Sequence, residues 1–99
     1  MSKTKLLLVT GGSRGIGAAS ARTAGREGYR VIVNYVSDEK AAQAVVGDIQ
    51  KAGGEAEAIQ ADVGEEKEIL RLFEAIAKKF GPITHLVNNA GIIGRASTL

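Results

Sequence analysis

Four glycines fall within the seven residues Gly11-Gly12-Ser13-Arg14-Gly15-Ile16-Gly17. They follow the apolar run Leu6-Leu7-Leu8-Val9 and lead into an alanine-rich segment with helical spacing, an order that reads strand, tight turn, helix. Glycine suits such a turn because it tolerates positive φ and has no Cβ to hold a ligand off the backbone. A helix opening near Gly15 or Ile16 aims its unpaired N–H groups and the positive end of its dipole into the turn. A phosphate or diphosphate is the ligand that such a hollow takes. A ligand-free connection accounts for one glycine pair; four glycines between a buried strand and a helix favour the anion.

The kind of phosphate site follows from what stands around the glycines. A P-loop needs a lysine after its last glycine, whereas Ala18 and Ala19 follow Gly17, which argues against a nucleoside triphosphatase. The G-x-G-x-x-G dinucleotide fingerprint is also out of register. The pattern present is Thr10-Gly11-x-x-x-Gly15-x-Gly17, and Asn88-Asn89-Ala90-Gly91 closes the last apolar strand. These two motifs, in this order and separation, resemble those of the short-chain dehydrogenase/reductase family.

Composition narrows the class further. With 99 residues the chain makes one small domain, 1–99, and 44% hydrophobic with 24% charged residues is ordinary for a soluble globular protein. A net charge of +2 gives no reason to expect nucleic acid or a membrane surface as partner. There is no cysteine, and the single histidine, His85, predicts no metal site. No apolar stretch approaches a membrane span, and Met1-Ser2-Lys3 leads straight into a strand without a signal peptide, so a cytoplasmic setting is expected.

The elements that must position the glycine turn alternate strand and helix. Lys5 to Thr10 reads as a central parallel strand buried on both faces. A first helix is expected from about Gly15 to Glu27, with Ile16, Ala19, Ala24 and neighbouring small residues inward so that it lies close to the sheet, Arg22 and Arg26 in solvent, and Gly28 closing it at positive φ. Tyr29 to Tyr35 is the second strand. Asp38 to Ala52 is the second helix, capped by Ser37 and burying Ala42, Val45, Ile49 and Ala52. Gly53-Gly54 ends it, and Glu55 to Ala61 alternates weakly, as an edge strand does. Glu65 to Phe80 is the clearest amphipathic helix, with Ile69, Leu72, Phe73, Ile76 and Phe80 on one face and its charges forming a solvated face. Gly81-Pro82 stops it, Ile83 to Val87 is the fourth strand, and Ile92 to Leu99 has no clear period.

In a dinucleotide fold the end of the second strand lies beside the adenosine ribose, where an acidic residue binds the 2′-hydroxyl of NAD. Asn34-Tyr35-Val36-Ser37 carries no carboxylate before Asp38, which removes the main barrier to a 2′-phosphate. Arg14 can supply the matching positive charge, so NADP is favoured over NAD. Read plainly, Arg14 is also an exposed loop cation and Ser37 a helix cap.

The resemblance implies an α/β fold with a doubly wound, Rossmann-type parallel sheet in strand order 3-2-1-4, and NADP lying across the carboxyl ends of the strands. Carried over by position, Gly11, Ser13, Arg14, Gly15, Ile16 and Gly17 hold the diphosphate side, and Asn34, Tyr35 and Ser37 lie near the ribose phosphate. Asp62 and Val63 flank adenine, while Asn88, Ala90 and Gly91 line the approach to the nicotinamide ribose. Each has a plainer alternative: Asp62 can cap the following helix, and Thr10 and Asn88 can serve the sheet. The family's usual acid is replaced at Thr84 or His85, and His85 reads as a surface or packing residue.

The family's hydride transfer to or from a carbonyl or alcohol uses a tyrosine with a lysine four residues later. Here Tyr29 is followed by Val33 at that distance and Tyr35 by Glu39, and both tyrosines are expected on the second strand at the adenosine side. No catalytic residue is therefore assigned: the resemblance puts all of them beyond Leu99, so the 99 residues alone are expected to be inactive. An apolar fourth strand (Ile83, Leu86, Val87) at an open edge predicts either a longer reductase or pairing with another copy into a homo-oligomer. An enzyme portion, a dinucleotide-binding module without turnover, and a ligand-free fragment remain as the readings, the last leaving the glycine turn unexplained.

Overall fold

The apolar run after Lys5 forms β1 (Leu6–Thr10), and all five of its residues are buried. The computed structural model describes residues 5–11 and 15–88. After β1 come α1 (Gly15–Arg26), β2 (Arg30–Tyr35), α2 (Glu39–Lys51), β3 (Glu55–Gln60), α3 (Glu66–Lys79) and β4 (His85–Asn88). The strands make one sheet in the order β3-β2-β1-β4. Every pairing is parallel: Leu8 lies opposite Ile32 and Leu86, and Ile32 opposite Glu57. The expected doubly wound α/β sheet is thus the observed one.

Alternation along the strands divides the core between two faces. Leu7, Val9, Val31 and Val33 pack against Ala18 and Ala21 of α1 and Ala42, Val45, Val46 and Ile49 of α2. Leu6, Leu8 and Ile32 pack on the other face against Leu72 and Ile76 of α3. β1 is covered from both sides and flanked by β2 and β4. The Gly11 turn begins at its carboxyl end.

Several expectations about sidedness are corrected. The inward face of α1 is Gly17, Ala18, Ala21 and Gly25, with Ala24 half-buried against the same core as expected, whereas Ile16 is 75% exposed and Ala19 exposed. Small residues do face the sheet and α2, as expected of a closely packed helix, but at positions other than Ile16 and Ala19. A Cβ built at Gly25 falls 2.7 Å from Ile49 Cγ2. The cap of α2 is Asp38, whose Oδ1 accepts from the Ala41 N–H at 3.1 Å, so Ser37 is not the cap. Val46 replaces Ala52 on the buried face of α2, since Ala52 sits past the helix end. On α3 only Leu72 and Ile76 are buried, and Phe73 is 39% exposed. Arg22 turns toward α2 and pairs with Asp48 at 2.8 Å; being this exposed, the pair contributes at most about 1 kcal/mol.

The amino edge of the sheet also differs from expectation. Tyr29 lies just before β2, edge-on to His85 at 5.1 Å, with Lys5 Nζ 5.6 Å from its ring centre. It is therefore at the opposite end of the sheet from Tyr35. β4 starts two residues late because Thr84 is held by β1 in another way: its N–H donates to the Leu6 carbonyl at 2.9 Å and its hydroxyl accepts from the Leu6 N–H at 2.9 Å.

Candidate functional site

Parallel strands bring their carboxyl ends to one edge, and four connections meet there. The first is the turn after β1. Thr10 is buried and its Oγ1 donates to the Val87 carbonyl at 3.4 Å, tying β1 to β4. Gly11 and Gly15 stand at φ +63° and +59°, where a side chain is strained. α1 opens at Gly15 with no acidic residue in its first turn, while α2 begins with Glu39 and α3 with Glu66 and Glu68. Two helices thus neutralise their positive ends with carboxylates, and the one at the glycine turn does not. Ser13 and Arg14 lie outside the described residues. Gly17 is buried in α1, close against the sheet. Ile16 points instead to the rim of an apolar groove of about 580 Å³ beside Leu86 and Val87.

The second connection follows β2. Tyr35 is half-buried, and Val36 and Ser37 are exposed. Asp38, the first carboxylate after the strand in sequence, accepts from the Ala41 N–H as the cap of α2. Gln60 Nε2 donates to the Val36 carbonyl at 2.8 Å and anchors the connection to β3. Nothing in the sequence singles out Gln60, because its role depends on the register that sets it opposite Tyr35. Asn34 is different in kind: it is fully buried, and its amide bonds within the fold.

The third connection holds Asp62 and Val63. Asp62 is exposed; its Oδ1 accepts from the Gly64 N–H at 3.0 Å, and its own N–H donates to Glu68 Oε1 at 3.2 Å. It does not cap α3, whose N-cap is Glu65. Val63 is half-buried against the α3-side core. The Asp62 N–H, and after it the Arg71 guanidinium 2.6 Å from Glu68 Oε2, hold the Glu68 carboxyl below its ordinary value of 4.5. A lowered carboxyl favours the folded state above its unfolded value, and that contribution is lost as pH falls through the lowered one. In an NMR titration the Asp62 amide proton should therefore move with an apparent pKa below 4.5. A midpoint at or above that value would show that the bond to Glu68 is not made.

The fourth connection follows β4. Asn88 ends that strand opposite Thr10, and Ala90 and Gly91 lie outside the described residues. The structure thus gathers Gly11, Gly15, Tyr35, Ser37, Asp62, Val63 and Asn88 at one edge, with the mouth of α1 among them. Among the described residues no helix is long and apolar enough to cross a membrane, and no cluster of acidic and histidine side chains could hold a metal ion.

A parallel sheet wound by helices on both faces, with a glycine turn at the carboxyl end of its central strand, defines a Rossmann-type protein. The profile of the short chain dehydrogenase family matches residues 5–99. Uncharacterized oxidoreductase YgfF of Escherichia coli K12 is 49% identical over 88 residues, which is 89% of this chain and 36% of that protein. 3beta-hydroxysteroid dehydrogenase 1 of Eggerthella lenta is 49% identical over 90 residues, 91% of this chain and 34% of its own length. The 3-oxoacyl-(acyl-carrier-protein) reductase FabG of Staphylococcus aureus is 45% identical over 92 residues, 93% of this chain and 37% of its own. A crystal structure of a dehydrogenase/reductase from Sinorhizobium meliloti 1021 superposes with a TM-score of 0.85 at 44% identity, over 92% of this chain and 36% of that one. The chain belongs to the short-chain dehydrogenase family, whose members use nicotinamide dinucleotides. It spans about a third of the length of the curated relatives it matches.

Proposed function

We propose that these residues form the NADP(H)-binding portion of an oxidoreductase acting on a small carbonyl or alcohol. The observation that carries the reading is the mouth of α1: two left-handed glycines bracket residues 12–14, and the first helical turn carries no carboxylate. Such a helix mouth suits a diphosphate, since the free N–H groups and uncancelled dipole of the first turn of α1 favour an anion. Gly11, Ser13, Arg14, Gly15, Ile16 and Gly17 take the diphosphate side. Tyr35 and Ser37, with Asn34 behind them, take the ribose phosphate. Asp62 and Val63 flank adenine, and Asn88, Ala90 and Gly91 reach toward the nicotinamide ribose.

NADP is preferred to NAD because the sequence carries no carboxylate from Asn34 to Ser37, and Asp38 after them serves as the α2 cap. When bound, the nicotinamide supplies or accepts the hydride; these residues bind and orient it. The substrate class is supported by the relatives whose names state one, which name a hydroxyl group on a steroid and an oxo group on an acyl chain. The setting proposed is cytoplasmic. The assembly proposed is a homo-oligomer, supported by the half-buried apolar rim of Ile83, Leu86 and Val87 along β4.

Calorimetric titration tests the reading. NADP should bind in the micromolar range, about 8 kcal/mol, and more tightly than NAD. No heat with either nucleotide removes the assignment. NADPH-dependent carbonyl reduction should be absent with the 99 residues alone, because no Tyr-x-x-x-Lys pair occurs in them. Measurable turnover would place a catalytic group among them.

A further inference from the structure

We infer that Asn34 is a positioning residue that locks the diphosphate turn and the adenine-side connection to each other, and that it does not itself contact the nucleotide. The inference rests on the proposed cofactor site and concerns how that site is held. Asn34 is fully buried near the end of β2, between β1 and β3. Its Oδ1 accepts from the Gly11 N–H at 3.3 Å. Its Nδ2 lies 3.1 Å from the Ala61 carbonyl, with those of Ile59 and Tyr35 at 3.4 and 3.5 Å. An amide nitrogen has two hydrogens, so the shortest of these contacts, to Ala61, is the one most firmly made. Gly11 opens the glycine turn, and Ala61 immediately precedes Asp62. One side chain, with an acceptor at one end and a donor at the other, thus spans two of the three connections proposed to hold the adenosine and diphosphate.

The chemistry explains why an amide stands here. A leucine of similar shape leaves the Gly11 N–H and the Ala61 carbonyl without this partner. A carboxylate can serve Gly11 but meets the carbonyls of Ala61 and Ile59 with a second acceptor. A side chain with no exposed surface and both ends in use has nothing left to offer a ribose phosphate. Its influence on the ligand passes through the two backbones it holds.

The test uses the intact protein with Asn34→Leu, and with Asn34→Ser in its place if the first variant does not fold. Hydrogen exchange is measured without nucleotide. Exchange should rise about tenfold at Gly11, whose N–H Asn34 accepts, and at Ala61, whose N–H is held by the Tyr35 carbonyl and whose carbonyl Asn34 anchors, while the amides of Val45 to Ile49 in the α2 core keep their wild-type rates. NADP and NAD should both weaken by about tenfold, their ratio unchanged, since each reads the same two connections. A larger loss for NADP than for NAD would mean direct contact with the 2′-phosphate and would overturn the inference. So would faster exchange throughout the domain, the mark of a purely structural residue, or wild-type exchange at both amides. If the unaltered protein binds neither nucleotide, the cofactor reading fails; the exchange result still decides whether Asn34 couples the two segments.

Discussion

Replacing Arg14 by alanine should weaken NADP binding by about ten- to a hundredfold and change NAD binding by less than about threefold. The argument is electrostatic. The end of β2 presents Tyr35, Val36 and Ser37, and its nearest carboxylate, Asp38, is bonded to the Ala41 N–H at the start of α2. A 2′-phosphate placed there is favoured by a nearby cation, which Arg14 in the glycine turn can supply. A charge-assisted hydrogen bond of that kind is worth about 1.5–3 kcal/mol, and its loss falls on the ligand that carries the phosphate. Calorimetric titration of both nucleotides against wild type and Arg14→Ala measures the selectivity. Equal losses would show that Arg14 serves the diphosphate common to both, and the preference for NADP would lose its basis.

Gly25→Ala should destabilise the fold by about 1–3 kcal/mol, although alanine is the better helix former. The added methyl would lie 2.7 Å from Cγ2 and 3.0 Å from Cγ1 of Ile49. Ile49 is 2% exposed, and the same Cγ2 is 2.8 Å from a Cβ built at Gly54, so the branched side chain is confined on two sides. Ile49→Val keeps both γ carbons and should not relieve the crowding. Ile49→Ala removes them; alone it opens a cavity at a cost of about 2–5 kcal/mol. Combined with Gly25→Ala it should cost at least about 1 kcal/mol less than the sum of the two. Urea unfolding of the four variants gives the cycle directly. Strict additivity would mean that α1 and α2 separate enough to admit the methyl without strain.

These two cases show where the sequence was legible and where it was not. The turn was readable because its signal is local: glycine spacing after an apolar run, with no lysine to make a P-loop. Gly53 and Gly81 carry φ values of +92° and +101° where Gly53-Gly54 and Gly81-Pro82 were expected to end helices. That small residues let α1 lie close was legible, but the exact inward set was not: Ile16 and Ala19 face out, and Gly17, Ala18, Ala21 and Gly25 face in. The Ser37 cap was misplaced by one residue, since Ser37 and Asp38 are equally competent caps and only the entry angle of the chain into α2 chooses between them. Tyr29 and Tyr35 looked alike as strand residues, yet a strand has two ends, and the parallel pairing puts them at opposite edges of the sheet.

Strand and helix order, the parallel winding and the glycine turn at the head of α1 were determined by the sequence alone, because periodicity and backbone freedom are properties of short stretches. The exact inward set of α1, and that Asn34 joins Gly11 to Ala61, were decided only in the tertiary structure. Those facts depend on partners 23 and 27 residues away, which no local pattern can bring together.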